Sequence, residues 1–268
     1  MTKIRQWTAK HPLILPLLMA ILTAGMDLFI FPLSAFVSID ALRIADIDPI
    51  YIALICNQIL AVAICLLLMK WIVPDWEFHF NLAGISGGFK RYGAIGIVAF
   101  AVSLFAFAIG LMPFDRTPSP AKVIVECVVY YFCVAFIEEL YVRGLLLNVL
   151  RKWLGGRDSH AVYAVLITAL IFGLGHVPGT LGQPMDVIIF KILWTVGLGI
   201  YWGAIYVKTN SLWCAILSHF ILDLCALPFA FSTRSDYPRI SLLIIVPLFI
   251  LMGLYGFRIL RNGPETGS

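Results

Sequence analysis

Apolar residues in this chain neither alternate nor keep to one helix face. They fill blocks of about twenty, separated by short stretches that hold most of the charge. At about 1.5 Å of rise per residue, such a block crosses the roughly 30 Å of a bilayer's hydrocarbon. The pattern predicts an all-α, polytopic membrane protein with about eight spanning helices, near 13–36, 50–73, 92–113, 124–150, 161–177, 187–207, 211–230 and 240–257. An even number of spans puts both ends on one side. The loops on the N-terminal side carry Lys3, Arg5, Lys10, Lys70, Lys90, Arg91, Arg151, Lys152, Arg157, Lys208, Arg258 and Arg261, against Arg43, Arg116, Lys122, Lys191, Arg234 and Arg239 opposite. That bias predicts cytoplasmic termini, and the inner membrane if the cell is bacterial. The first block is longer than a signal-peptide core and has no small-x-small cleavage site, so it reads as a retained span.

Composition excludes a soluble reading. Of 268 residues, 61% are hydrophobic and 13% charged, where soluble domains carry about a quarter charged residues. The formal charge of +4 is scattered, with no basic run to hold a nucleic acid, so none is expected as a partner. Six cysteines lie inside apolar blocks with no C-x-x-C pair and read as buried apolar residues. Trp76–Arg91 mixes aromatics, glycine and base and is expected along the inner interface. Within it, Gly84–Gly88 (GISGG) has the letters of a nucleophile elbow. That motif needs a strand-to-helix turn, and a flexible turn is the reading preferred here. Gly199 and Gly203, four apart, predict a close helix seam.

Ionisable side chains in a membrane span cost about 3 kcal/mol or more, so each is a functional candidate. Span four carries Glu138, Glu139 and Arg143 in FIEELYVRG, span five Phe172 and His176 in IFGLGH, and span seven His219 and Asp223 in LSHFILD. Counted along each helix from its cytoplasmic end, Glu138 lies at about 18 Å, His176 at about 22 Å, His219 at about 12 Å and Asp223 at about 18 Å. A shared layer is what a single site at the meeting of three helices requires. Glu139 and Arg143 are i, i+4, the order that favours an ion pair, while Glu138 projects about 100° away. One carboxylate is neutralised and the other left free. His219 and Asp223 are also i, i+4, so the carboxyl can orient the imidazole or share a ligand with it.

Glu138-Glu139-x-x-x-Arg143, Phe172-x-x-x-His176 and His219-x-x-x-Asp223, in that order on successive spans, resemble the CPBP family of intramembrane proteases. That family includes type II CAAX prenyl endopeptidases and bacteriocin-processing or immunity-associated (Abi) proteins. The resemblance covers about 125–230. It divides the chain into N-terminal membrane helices (1–120, spans 1–3), a catalytic membrane core (121–260, spans 4–8) and a polar tail (261–268). It implies an endopeptidase acting on a membrane-bound or lipid-linked peptide. By this resemblance Glu138 is the general base, His176 holds or activates the water, His219 and residue 223 face the substrate carbonyl, Glu139 and Arg143 fix the helix behind them, and Phe172 shapes the wall.

The departure is Asp223, where the CAAX branch typically has Asn. An ionised carboxylate would repel an oxyanion, so Asp223 carries a proton, orients His219 or binds metal. No cofactor is expected, with zinc on Glu138, His176, His219 and Asp223 as the competing mechanism. Each residue also has a structural reading. Glu139–Arg143 makes a structural ion pair, His176 a helix-end cap, and His219–Asp223 a hydrogen bond between helices. Asp27, Asn57 and Glu126 read as packing or interface residues. The alternative functions are a proton-coupled transporter and a non-catalytic peptide-binding or immunity protein.

Overall fold

In the computed structural model, residues 42–72, 82–155 and 158–262 are described, with isolated positions 7, 10, 11, 14 and 18. Nearly all of the expected first span, Asp27, residues 76–81 of the interfacial segment and the tail beyond 262 lie outside the described residues. The described chain is helical, with no strand. Helix α1 is Pro49–Ile72, α2 runs 82–111 and α3 runs 120–153. Helix α4 is Asp158–Gly175, α5 Met185–Thr209, α6 Leu212–Asp223 prolonged by a 3₁₀ stretch Leu224–Phe231, and α7 Arg239–Arg261.

Among the described residues, six segments are long and apolar enough to cross a membrane: Pro49–Ile72, Gly84–Leu111, Ala161–Thr180, Met185–Thr209, Leu212–Phe231 and Arg239–Arg261. They correspond to six of the expected spans. The charged α3 is not among them. The span expected at 92 begins earlier, because Leu82–Gly88 is helical and joins Ala94–Leu111 through a π turn at Phe89–Gly93. GISGG therefore lies inside a helix, neither the flexible turn expected of it nor the strand-to-helix turn that a nucleophile elbow requires.

The helix ends follow the local sequence. Ser119 accepts a hydrogen bond from the Lys122 amide, with Pro120 at the first position of α3, and Ser211 accepts one from Cys214 to start α6. Asn210, at φ +49°, ends α5 in the left-handed region that Asn tolerates better than most residues. Helix α5 packs between α7 and α4, and small residues let it come close. A Cβ on Gly197 would strike the Phe249 carbonyl, and one on Gly253 would sit 2.8 Å from the Gly197 Cα. Cβ atoms on Gly199 and Gly203 would meet Ala169 Cα at 3.0 Å and Val165 Cγ1 at 2.8 Å, so the expected seam is real and faces α4. In lipid such contact matters, since tails are as apolar as the helices they surround. Buried hydroxyls add two ties to α2: Tyr201 Oη donates to Tyr92 O, and Ser241 Oγ to Ala106 O, both at 2.8 Å.

Successive helices run in opposite directions, which gathers residues 42–48, 112–119, 176–184 and 232–238 at one end of the bundle, the distal end. Polar links close it. Asp46 accepts from the Ser119 amide at 3.0 Å and its hydroxyl at 2.5 Å. Asp115 accepts from the Thr233 amide at 2.7 Å and from its hydroxyl. These bonds hold both carboxyls below the usual aspartate range. Glu126, expected to be a packing residue, ties α3 to the segment before α1: it pairs with Lys122 at 2.6 Å and accepts from the Asp48 amide at 2.6 Å. The cysteines are free thiols, and Cys56, expected to be buried, is exposed on α1.

Candidate active site

Helix α3 brings Glu138, Glu139 and Arg143 to the site, α4 brings Phe172 and His176, and α6 brings His219 and Asp223. The α3 backbone changes at this point, where the α-helical Tyr130–Glu139 gives way to the wider π turns of Leu140–Leu147. Such turns are uncommon and recur at functional sites.

Arg143 and Glu139 are fully buried and meet at 2.8 Å through Nη1 and Oε1. The guanidinium also donates to Gly199 O at 3.1 Å and lies over the rings of Phe172 and Trp202, at 4.9 and 5.6 Å from their centroids. The close approach of α5 at Gly199 is what exposes that carbonyl to it. Glu139 Oε1 has a second partner, His219 Nδ1, at 2.8 Å. An ion-paired carboxylate accepts, so this nitrogen carries the hydrogen, and the other one, Nε2, faces forward.

In front of it stands Glu138. Its Oε1 lies 3.8 Å from His176 Nε2 and its Oε2 lies 3.7 Å from His219 Nε2. Both gaps are too long for direct hydrogen bonds and suit a bridging water. His176 Nδ1 donates to Phe172 O at 2.8 Å. The helix-end cap expected of His176 thus exists, and it leaves Nε2 of the neutral ring as the bare acceptor toward Glu138. Asp223 Oδ2 is 3.3 Å from His219 Nε2. Side-chain exposure separates the groups: 21% for Glu138, 20% for His176 and 26% for Asp223, against 4% for His219 and none for Glu139.

All seven residues singled out from the sequence meet here. Trp202 was missed: its ring stacks on His219 at 3.8 Å and 18°, while Phe172 meets the same imidazole edge-on at 6.1 Å. The available signal was an aromatic residue inside the glycine seam of α5. Lys191, counted among loop charges, lies inside α5. A distal cavity of about 530 Å³, lined by Arg43, Asp46, Arg116 and Lys122 among others, includes none of the seven. Among the described residues no group of three or more His, Cys, Asp or Glu is arranged to hold a metal ion.

The fold and this cluster define a class: an all-helical membrane protein with carboxylates and imidazoles gathered where three helices meet. Residues 120–225 match the family model for the type II CAAX prenyl endopeptidase Rce1-like. The match bears out the family resemblance of the motifs, spans every residue of the cluster, and implies a CAAX-type intramembrane endopeptidase. No curated protein matches the chain.

Proposed function

We propose that this protein is an intramembrane endopeptidase that hydrolyses a peptide bond in a membrane-bound or lipid-linked substrate, using a water activated by Glu138. The observation that carries this reading is the placement of both Glu138 oxygens 3.7–3.8 Å from imidazole nitrogens of two different helices, while Glu139 is spent on Arg143 and His219 Nδ1.

A water held between Glu138 and His176 Nε2 gives one proton to the carboxylate as its oxygen attacks the substrate carbonyl carbon. Its other hydrogen is held by the imidazole. The carbonyl π electrons move to oxygen, and a proton shared between His219 Nε2 and Asp223 Oδ2 faces that oxyanion. Collapse of the intermediate expels the amine, which takes the proton held on Glu138. In this scheme an Asp serves where an Asn would, because a proton on the 3.3 Å line to His219 makes the pair a donor. Trp202 and Phe172 act through His219 and are positioning residues. The same reading keeps eight spans, with α3 crossing the membrane as a charged helix and both termini cytoplasmic.

The test is cleavage of membrane-anchored peptides by purified wild type and Glu138→Gln, with and without a strong zinc chelator. Activity lost in the variant and kept under chelation supports a glutamate-activated water. Loss under both moves the chemistry to metal, and a folded wild type as inert as the variant moves the function to transport or binding.

A further inference from the structure

Lys191 is a cation inside a helix long and apolar enough to cross a membrane. It lies about 9 Å along α5 from its first residue. The neighbouring positions Ile189 and Leu193 are 48% and 43% exposed, and at about 100° per residue Lys191 projects from the opposite side of the helix. Its ammonium therefore faces protein. It lies 4.7 Å from the centroid of Trp194, a buried ring, and 5.9 Å from that of Tyr237. Tyr237 in turn packs against Trp194 at 5.4 Å and Phe229 at 5.9 Å, closing an aromatic wall.

No carboxylate among the described residues comes within ion-pair distance of this ammonium, and its turn of α5 packs on the α4 turn that carries Phe172 and His176, where a Cβ on Gly173 would sit 3.1 Å from the Ile192 carbonyl oxygen. Arg143, Lys122, Arg234 and Arg239 all have such partners. A cation turned inward, supported only by ring faces and close to the cleft, is poised for an anion that arrives from outside the chain.

We propose that Lys191 binds the free C-terminal carboxylate of the peptide being cut, so that the enzyme measures its cleavage position from the substrate's end. This rests on the endopeptidase reading above. The chemistry matches a CAAX-type substrate, in which the motif lies at the chain terminus. A bond within the last four residues is then only about 10 Å from the carboxylate in extended chain. The apolar walls suit the uncharged side chains between the two points. An anionic lipid headgroup offers similar oxygens and is the competing occupant.

The experiment compares matched peptides ending in a free acid or an amide. Wild type is expected to favour the acid about tenfold in kcat/KM, expressed mainly in KM. Lys191→Arg keeps the preference, and Lys191→Met brings the ratio to about one. Equal cleavage of acid and amide by wild type, or an acid preference that survives in Lys191→Met, overturns the proposal. Binding separates its failure from that of the protease reading. A short apolar peptide acid should raise the Tm of full-length wild type and Glu138→Gln, and not that of Lys191→Met, whether or not cleavage occurs. If acid and amide stabilise alike while phosphatidylglycerol stabilises through Lys191, the site belongs to lipid.

Discussion

Behind the His219 ring, Glu139 and Arg143 are sealed from solvent and joined by direct 2.8 Å contacts. In front of it, Glu138, His176 and Asp223 keep a fifth to a quarter of their side-chain surface and stand 3.3–3.8 Å from their neighbours. Two glutamates adjacent in sequence thus live in opposite regimes. The rear one has its charge consumed in holding a ring and a helix, while the front one has room for a water and a substrate. What separates them is the roughly 100° turn between successive helix positions, together with an arginine four residues on that can reach only one side.

The sharpest way to break this comparison is to neutralise each glutamate in turn. Glu138→Gln should lower kcat by about 10²–10⁴-fold, the usual contribution of a general base, and leave thermal stability within about 0.5 kcal/mol, since no direct bond is lost. Peptide cleavage and thermal unfolding on the same preparation check both halves. A Glu138→Gln variant that unfolds easily would mean that the front is structural too.

The rear pair should respond in the reverse way. Arg143→Met leaves Glu139 a buried charge without its ion-pair partner, held only by His219 Nδ1, and should cost about 3–5 kcal/mol, seen as a large fall in Tm. Combining it with Glu139→Gln removes the stranded charge, and the double variant should recover a substantial part of that loss. A double variant no more stable than Arg143→Met would show that the guanidinium matters through Gly199 O and the two rings it covers, not through Glu139.

Much of this contrast is legible in the sequence. The i, i+4 spacing of Glu139 and Arg143 gave the ion pair, and the shared depth of Glu138, His176, His219 and Asp223 gave the cluster. Depth and spacing are one-dimensional, and they fail where a fourth helix approaches sideways. Trp202 and Lys191 sit on α5, which carries no motif, and their roles follow from which face it turns inward. The start of α2 was hidden for a different reason: Lys90 and Arg91 look like a loop, yet the helix continues through them by a π turn. GISGG reads as a flexible turn because of its three glycines, yet it is helical, since the apolar helix of α2 continues back through it.

A smaller effect tests what holds α5 against its neighbours. Gly197→Ala puts a methyl on the Phe249 carbonyl, and a backbone atom cannot swing away, so about 1–3 kcal/mol of destabilisation is expected. Gly87→Ala is the control. Nothing lies within 4 Å of its Cβ position, and a helical alanine should stabilise by up to about 1 kcal/mol. If both variants shift Tm alike, close packing at Gly197 is not what fixes the seam, and the position of the Gly199 carbonyl over Arg143 needs another cause.

The smallest effect belongs to the distal end, where carboxylates are held by hydroxyls and amides in water. Asp115 accepts from both Thr233 donors, and its carboxyl is held below its ordinary value by those bonds. A folded-state value depressed below the unfolded one, about 3.9, gives stability that is complete above the unfolded value and lost as pH falls through the folded one. Protection of the Thr233 amide against hydrogen exchange should therefore hold from neutral pH to about pH 4 and fall below it, after correction for intrinsic exchange. Asp115→Asn should lower that protection at neutral pH and flatten its dependence on acid. Because Asp46 is held down in the same way by Ser119, the whole protein should keep part of its acid sensitivity in this variant. A Thr233 amide that loses protection below pH 4 equally in both proteins would place the titrating group elsewhere at this end.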